Sequence, residues 1–436
     1  MDGKLLARQI FLRTLEALDV PASVSRCISC ADSVVRCGDI EYDLRDASDL
    51  RFVAVGKAAL AMLDGLLAVL PRKIAFTGIV SAPAAPKSRH PGLRYFAGGH
   101  PTPNEQSLLA GEAALHLLRD CNSKTLVIVL ISGGGSSLME FPLMRSLSLA
   151  EVQQMNRALV TCGASITEIN AIRKHFSAVK GGRIAEVAMP ARVITLAISD
   201  VPTGKESALA SGPTLPDPAT RQDVLAIVAK YNLRARLPDR LVQWIESEEM
   251  PETPKPGNFA FERAQFRLIL GMHELFHAAH RIAEALDCEA FCDNSTDEWP
   301  VGKAADFLLA QLEELRASNP HRPVALIADG ELSSTVTGDG VGGRNSAFVL
   351  ACVQKIAGKG IVVLSAGTDG IDGNSPAAGA VADGETLQRA QDLGLEPQEF
   401  FLRSDSFSFF HRLGDTIVTG PTGNNLRDMR LLIAFP

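Results

Sequence analysis

Three consecutive glycines, Gly133, Gly134 and Gly135, follow an unbroken apolar run, Leu126–Ile131, and stand between Ser132 and the pair Ser136–Ser137. Glycine has no Cβ, so backbone N–H groups in such a loop can approach an anion closely. The same residues could instead carry a serine nucleophile or form only a tight turn. A nucleophile elbow requires G-x-S-x-G, and Ser136 is followed by Ser137 and Leu138, which breaks that spacing. A P-loop would bring its own lysine. Its nearest match, 199–207, has Ser199 where the first glycine belongs and Glu206 where a magnesium-binding hydroxyl belongs.

Charged residues recur after other apolar runs. Lys57 follows 51–56, Asp200 follows 192–199, and Asp329 and Glu331 close 324–330. Thr368, Asp369, Gly370 and Asp372 follow 361–367, and Thr422 and Gly423 follow 415–420. Cations, glycine amides and carboxylates at strand ends form the vocabulary of a polyphosphate and magnesium site. On this reading Ser132–Ser137, Lys180, Gly370, Thr422 and Gly423 contact the nucleotide. Asp200, Asp369 and Asp372 hold Mg2+ or take a proton. Arg173, Lys174, His175, Lys180 and Arg183 crowd one segment, either as a solvated basic face or to neutralise an anionic ligand.

Rival motifs are weaker. Gly338, Gly340 and Gly343 fit G-x-G-x-x-G, the basis for an alternative NAD(P)-dependent dehydrogenase acting on hydroxypyruvate or tartronate. They follow STVT rather than a long buried strand. His273, Glu274 and His277 fit the zinc-protease helix pattern, but His280 stands where the extended motif needs glycine and no clear third ligand follows. The eight cysteines, Cys27, Cys30 and Cys37 among them, lack matched four-ligand spacing and read as reduced thiols.

The elements that must position these groups alternate. Nearly continuous apolar runs at 51–56, 74–80, 125–132, 192–199, 266–271, 324–330, 361–367 and 415–420 read as strands covered on both faces. Amphipathic stretches such as 104–120 and 302–318 separate them, which implies an α/β fold with mostly parallel sheets. The proline-rich, acidic segment 248–262 reads as a linker between an N-terminal domain, 1–247, and a C-terminal domain, 263–436. The 436 residues carry a net charge of −7 with no long basic block, which argues against nucleic acid. No apolar run reaches the ~18 residues of a membrane span. A cytoplasmic protein is expected, and homo-oligomer formation is left open.

Taken together, these segments resemble the class II glycerate kinases. The matching stretches are VGKAALAM (55–62), GGHPTPNEQSLLAG (98–111), LISGGGSSL (130–138), INAIRKHFSAVKGGRIAE (169–186) and ISDVPTGKESALASGPTLPD (198–217). Further on come GGRNSAF (342–348), GTDGIDGNSPAAGAVADGET (367–386), SDSF (404–407) and GPTGNNLRDMRLLI (420–433). The resemblance implies an N-terminal Rossmann-like three-layer α/β/α domain and a smaller C-terminal α/β domain, with the active site in the cleft between them. It implies ATP- and Mg2+-dependent phosphorylation of D-glycerate to 2-phospho-D-glycerate, the position resting on the resemblance alone. It places Lys57, Arg344 and Asp200 in catalysis. Two departures stand out: Thr203 and Gly204 replace a glycine–acid pair after SDVP, and Ser346 and Ala347 follow GGRN.

Overall fold

The apolar runs condense into two six-stranded sheets in a computed structural model that describes residues 2–45, 49–86, 88–199, 201, 204–247, 249–424 and 426–436. Asp200 and Thr203 lie outside the described residues. The chain divides into two units, Val20–Ile269 and a second made of Met1–Asp19 with Leu270–Pro436.

The first unit opens with a small antiparallel meander, β1 (Ile28–Ala31), β2 (Val34–Cys37) and β3 (Ile40–Asp43). Its main strands are β4 (Asp49–Val55), β5 (Thr77–Ala82), β6 (Leu93–Ala97), β7 (Thr125–Ile131), β8 (Arg192–Ile198) and β9 (Ala264–Leu270). Their order is β6-β5-β4-β7-β8-β9, and the pairs from β6 to β8 are all parallel. Residues of both parities are buried along β4, β7 and β8, so both faces are covered. Val53, Val55, Val127, Val129 and Ile131 pack with the helices Glu105–Arg119 and Arg183–Ala188. The helix Ala59–Val69 lies outside that cluster and packs on β4, β5 and β7. A separate core joins Ile169, Ile172 and Phe176 to Val224, Ile227 and Leu241. It is built by the helices Leu149–Val160, Ile166–Phe176, Arg221–Lys230 and Asp239–Glu246.

The second unit contains β10 (Glu289–Asp293), β11 (Val324–Asp329), β12 (Ile361–Gly367), β13 (Gly379–Asp383), β14 (Thr416–Ile417) and β15 (Asp428–Ala434), in the order β10-β11-β15-β12-β13-β14. This sheet is mixed: β15 runs antiparallel to β11 and β12, and β13 antiparallel to β12. The expected strand at 415–420 shrinks to Thr416–Ile417, while DMRLLIA, every residue of it buried, supplies a central strand. One face is covered by the helices Val301–Ser318, Arg344–Ile356 and Ser406–Leu413. Gly3–Ala17 packs on β12, β13 and β15, and Met272–Ala285 on β10 and β11.

The division differs from the expected 1–247 and 263–436. Residues 1–19 pack with the second unit because Leu6, Ala7, Ile10 and Phe11 form a buried stripe on its sheet. The expected linker packs on the first unit. Met250 and Thr253 are buried, Thr253 Oγ1 donates to Asp217 (3.0 Å), and Lys255 reaches the Ala219 carbonyl.

Candidate functional site

In the first unit, strand-end loops converge around the three glycines. Lys57 follows β4 through Gly56, whose φ of +131° and close approach to Ser132 exclude a side chain. The Lys57 amide donates to the Gly133 carbonyl (2.9 Å), and the Ala58 amide to Ser132 Oγ (2.9 Å). A Cβ on Gly134 would stand 3.4 Å from Lys57 Cγ, so the lysine stem lies along the loop. Gly134 takes a left-handed conformation and opens the single turn Gly135–Leu138. Among the described residues the Gly133 and Gly134 amides find no acceptor in the chain. Backbone donors beside a cation are what an anion cradle requires.

The serines of the loop are tied to their surroundings. Ser137 Oγ donates to the Gly134 carbonyl (3.1 Å) and shares a hydrogen bond with His100 Nδ1 (3.0 Å). His100 has no assigned role in the sequence reading, although it follows β6 through Gly98 and Gly99, the signal that marked the other loops. Ser136 and Ser211 share a hydrogen bond of 2.6 Å, and Ser211 Oγ donates to Asn170 Oδ1 (3.0 Å). Ala210, Ser211 and Gly212 are all left-handed, with φ of +48°, +59° and +60°. Such backbone at non-glycine residues costs about 1–2 kcal/mol each and gathers at functional sites. Gly135 is required beside it, since its Cβ would meet Ala210 Cβ at 2.7 Å.

The basic segment is not a solvated face. Lys180 is 1% exposed and paired with Glu140, which also accepts from Ser177. Burial lowers the Lys180 pKa against the pull of Glu140. The Lys180 ammonium, expected at the nucleotide, is enclosed and paired with Glu140. Lys174 pairs with Asp217 (3.2 Å), also inside.

In the second unit, Arg344 heads the helix Arg344–Ile356. Its fork grips Glu331 with two contacts of 2.9 Å and pairs through Nε with Asp428. Burial works against its charge, but Asp428 and Glu331 more than offset that and raise its pKa above the usual guanidinium value. Asp372, expected at a metal, is 1% exposed and accepts from the Asn345 amide (2.9 Å), the Ser346 amide (2.9 Å) and Ser346 Oγ (2.6 Å). It caps that helix. Asp369 is half-buried, accepts from the Ile371 amide (3.0 Å) and retains the character of a hard oxygen ligand. Gly370, Thr422 and Gly423 lie in two interlocked loops. Gly370 (φ +87°) fits against the Gly420 carbonyl, and Thr422 Oγ1 donates to the Thr368 carbonyl (2.5 Å).

Asp329, at the end of β11, is 1% exposed, and neither carboxylate oxygen has a hydrogen-bond donor among the described residues. Burial pushes its pKa up to about 6, against the opposing pull of Arg427 and Arg430. Only its place at a strand end marked it in the sequence.

The rival motifs find structural uses. Gly338 and Gly340 pack on the Arg403 carbonyl, and Gly343 on Asp372, with no strand leading into the run. Glu274 caps its own helix at the Gly271 amide (2.7 Å), and His273 and His277 are exposed. Among the described residues no three His, Cys, Asp or Glu side chains converge as a metal site.

Two α/β units thus carry glycine loops and charged residues at their strand ends, where α/β folds place their ligands. A domain of unknown function, DUF4147, matches residues 6–246, and the MOFRL family matches 324–428. A D-glycerate 2-kinase of Thermotoga maritima is 34% identical, covering 86% of this chain and 88% of its own. An Agrobacterium vitis protein named "Putative hydroxypyruvate reductase" is 36% identical, over 87% and 86%. The crystal structure of a glycerate kinase from Thermotoga maritima superimposes with a TM-score of 0.85 at 32% identity, over 99% of both chains. The chain belongs to the glycerate kinase family, phosphotransferases with an alcohol acceptor. No described helix is long and apolar enough to cross a membrane.

Proposed function

We propose that this chain transfers the γ-phosphoryl group of ATP to the 2-hydroxyl of D-glycerate. The observation that carries this reading is the stem of Lys57 lying along the glycine loop Gly133–Ser137, where two amides find no acceptor among the described residues. Phosphoryl transfer asks a protein mainly to position the phosphates and neutralise their charge. The loop amides hold phosphate oxygens, and the Lys57 ammonium balances the transferring group. Arg344, whose fork is engaged by Glu331 and whose Nε is held by Asp428, has a planar guanidinium that suits a substrate carboxylate or phosphate taking the place of Glu331. Asp369 in the second unit is a carboxylate that would supply hard oxygen ligands to Mg2+, as Asp200 would by its place in the sequence, and the ion would add positive charge to the phosphates. The eight cysteines, all free, support a reducing, cytoplasmic setting. The net charge of −7 offers no surplus for nucleic acid.

The test is product NMR after incubation with ATP, Mg2+ and D-glycerate. The expected product is 2-phosphoglycerate, and Lys57→Ala lowers kcat/KM by about 100-fold or more with the fold intact. NADH oxidation by hydroxypyruvate without ATP, and no phosphorylated product, would replace this reading with the reductase named in the Agrobacterium relative.

A further inference from the structure

Five basic side chains crowd residues 173–183, and four of them are held by the chain itself. Lys174 pairs with Asp217, Lys180 with Glu140, and Arg183 donates to the Glu252 carbonyl (3.1 Å). His175 lies between the Ala171 carbonyl (2.8 Å) and Glu252 (3.3 Å). Arg173 differs. Among the described residues its guanidinium makes no hydrogen bond or ion pair, and its Nε is buried. One turn earlier, Asn170 is 4% exposed, and its Nδ2 is also buried without an acceptor. Residues three apart share a helix face. The Oδ1 of the same amide accepts from Ser211, which reaches Ser136 in the glycine loop.

We propose that Arg173 and Asn170 form an oxyanion-binding subsite of the first unit, with the Ser136–Ser211 pair fixing the Asn170 amide from its Oδ1 side. Its ligand is the carboxylate of the acceptor or a phosphoryl oxygen of the nucleotide. Buried N–H donors without acceptors are costly, and a group that offers several anionic oxygens satisfies both at once. A cation or an apolar group would satisfy neither. The nearby Glu140 does not repel such a ligand, because Lys180 and Ser177 already balance it. The two ligand candidates rest on the kinase reading, whereas the donors do not.

The experiment is calorimetric binding to the full chain of D-glycerate, a non-hydrolysable ATP analogue and inorganic phosphate, each alone. Arg173→Gln and Asn170→Asp are expected to weaken one of the two substrates by about tenfold or more and leave the other within about twofold. Loss on the glycerate arm identifies a carboxylate pocket, and loss on the nucleotide arm a phosphate pocket. Arg173→Lys, which keeps the charge and most of the packing, is expected to be intermediate and carries the test if Arg173→Gln does not fold. Unchanged affinity for both ligands in the folded variants overturns the proposal, as does a wild-type chain that binds none of the three probes. Binding lost in Arg173→Gln while the wild type never phosphorylates glycerate would sink the kinase reading and leave the subsite standing.

Discussion

Asp329 carries a titration whose sign is fixed by its surroundings. Its folded pKa of about 6 lies above the ~3.9 of an unfolded aspartate. Between about pH 4 and pH 6 the folded chain therefore holds more protons than the unfolded one, and stability falls as pH rises through that window. The penalty is complete about one unit above the folded pKa, near pH 7, and amounts to roughly 3 kcal/mol. Asp329→Asn should remove this slope from urea unfolding of the second unit; an unchanged slope would show that the carboxyl titrates normally. At this scale the sequence revealed the types and strand-end positions of Lys57, Ser132–Ser137 and Asp369. It did not reveal commitments made across the fold. Lys180 and Glu140 lie 40 positions apart, and Asp372 and Ser346 lie 26 apart, so no local spacing announces either partnership.

The helix Arg344–Ile356 shows how an element absorbs residues that look catalytic. Gly343 at its N-cap offers no side chain, so Asp372 supplies the acceptor from another loop. Ser346, a departure from the family pattern, completes this cap and also shares a hydrogen bond with Ser406 (2.8 Å). Asp372→Ala is expected to cost about 1–3 kcal/mol in chemical denaturation. Stability held at the wild-type level, with a changed Mg2+ requirement, would return Asp372 to the metal. Strands covered on both faces were legible because they read as unbroken apolar runs. The meander β1–β3 was not, because each strand is four residues long and carries polar residues. β15 was missed because DMRLLIA begins with charged residues, of which Arg430 is buried and donates to the Gly330 carbonyl (2.9 Å).

For the whole molecule, the two α/β units followed from the alternation of apolar runs and amphipathic stretches, but their boundary did not. Proline and acidic content marked 248–262 as a linker, whereas the break falls between Ile269 and Leu270, at the last residue of β9. The first helix also joins the second unit. Its Leu6, Ile10 and Phe11 are at most 2% exposed, and burying three such side chains is worth roughly 5–9 kcal/mol. That is comparable to the net stability of a domain. Removing residues 1–19 should therefore unfold the second unit and spare the first. The two tryptophans report separately, Trp244 from the first unit and Trp299 from the second. In single-tryptophan variants of the shortened chain, Trp299 emission should shift to that of unfolded protein while Trp244 stays native-like. Native-like emission from both would show that the helix is dispensable.

Gly3 packs against Phe435 and Val362, so the helix made early in synthesis rests on strands made near its end. Roughly 420 residues must follow the helix before β12, β13 and β15 are all available, about 20–85 s at ~5–20 residues per second. Through that interval the first unit can complete its sheet, while an amphipathic helix waits beside it with its apolar stripe uncovered. Aggregation during expression should begin with that waiting helix, and a chaperone that holds exposed apolar segments should find its first binding site there.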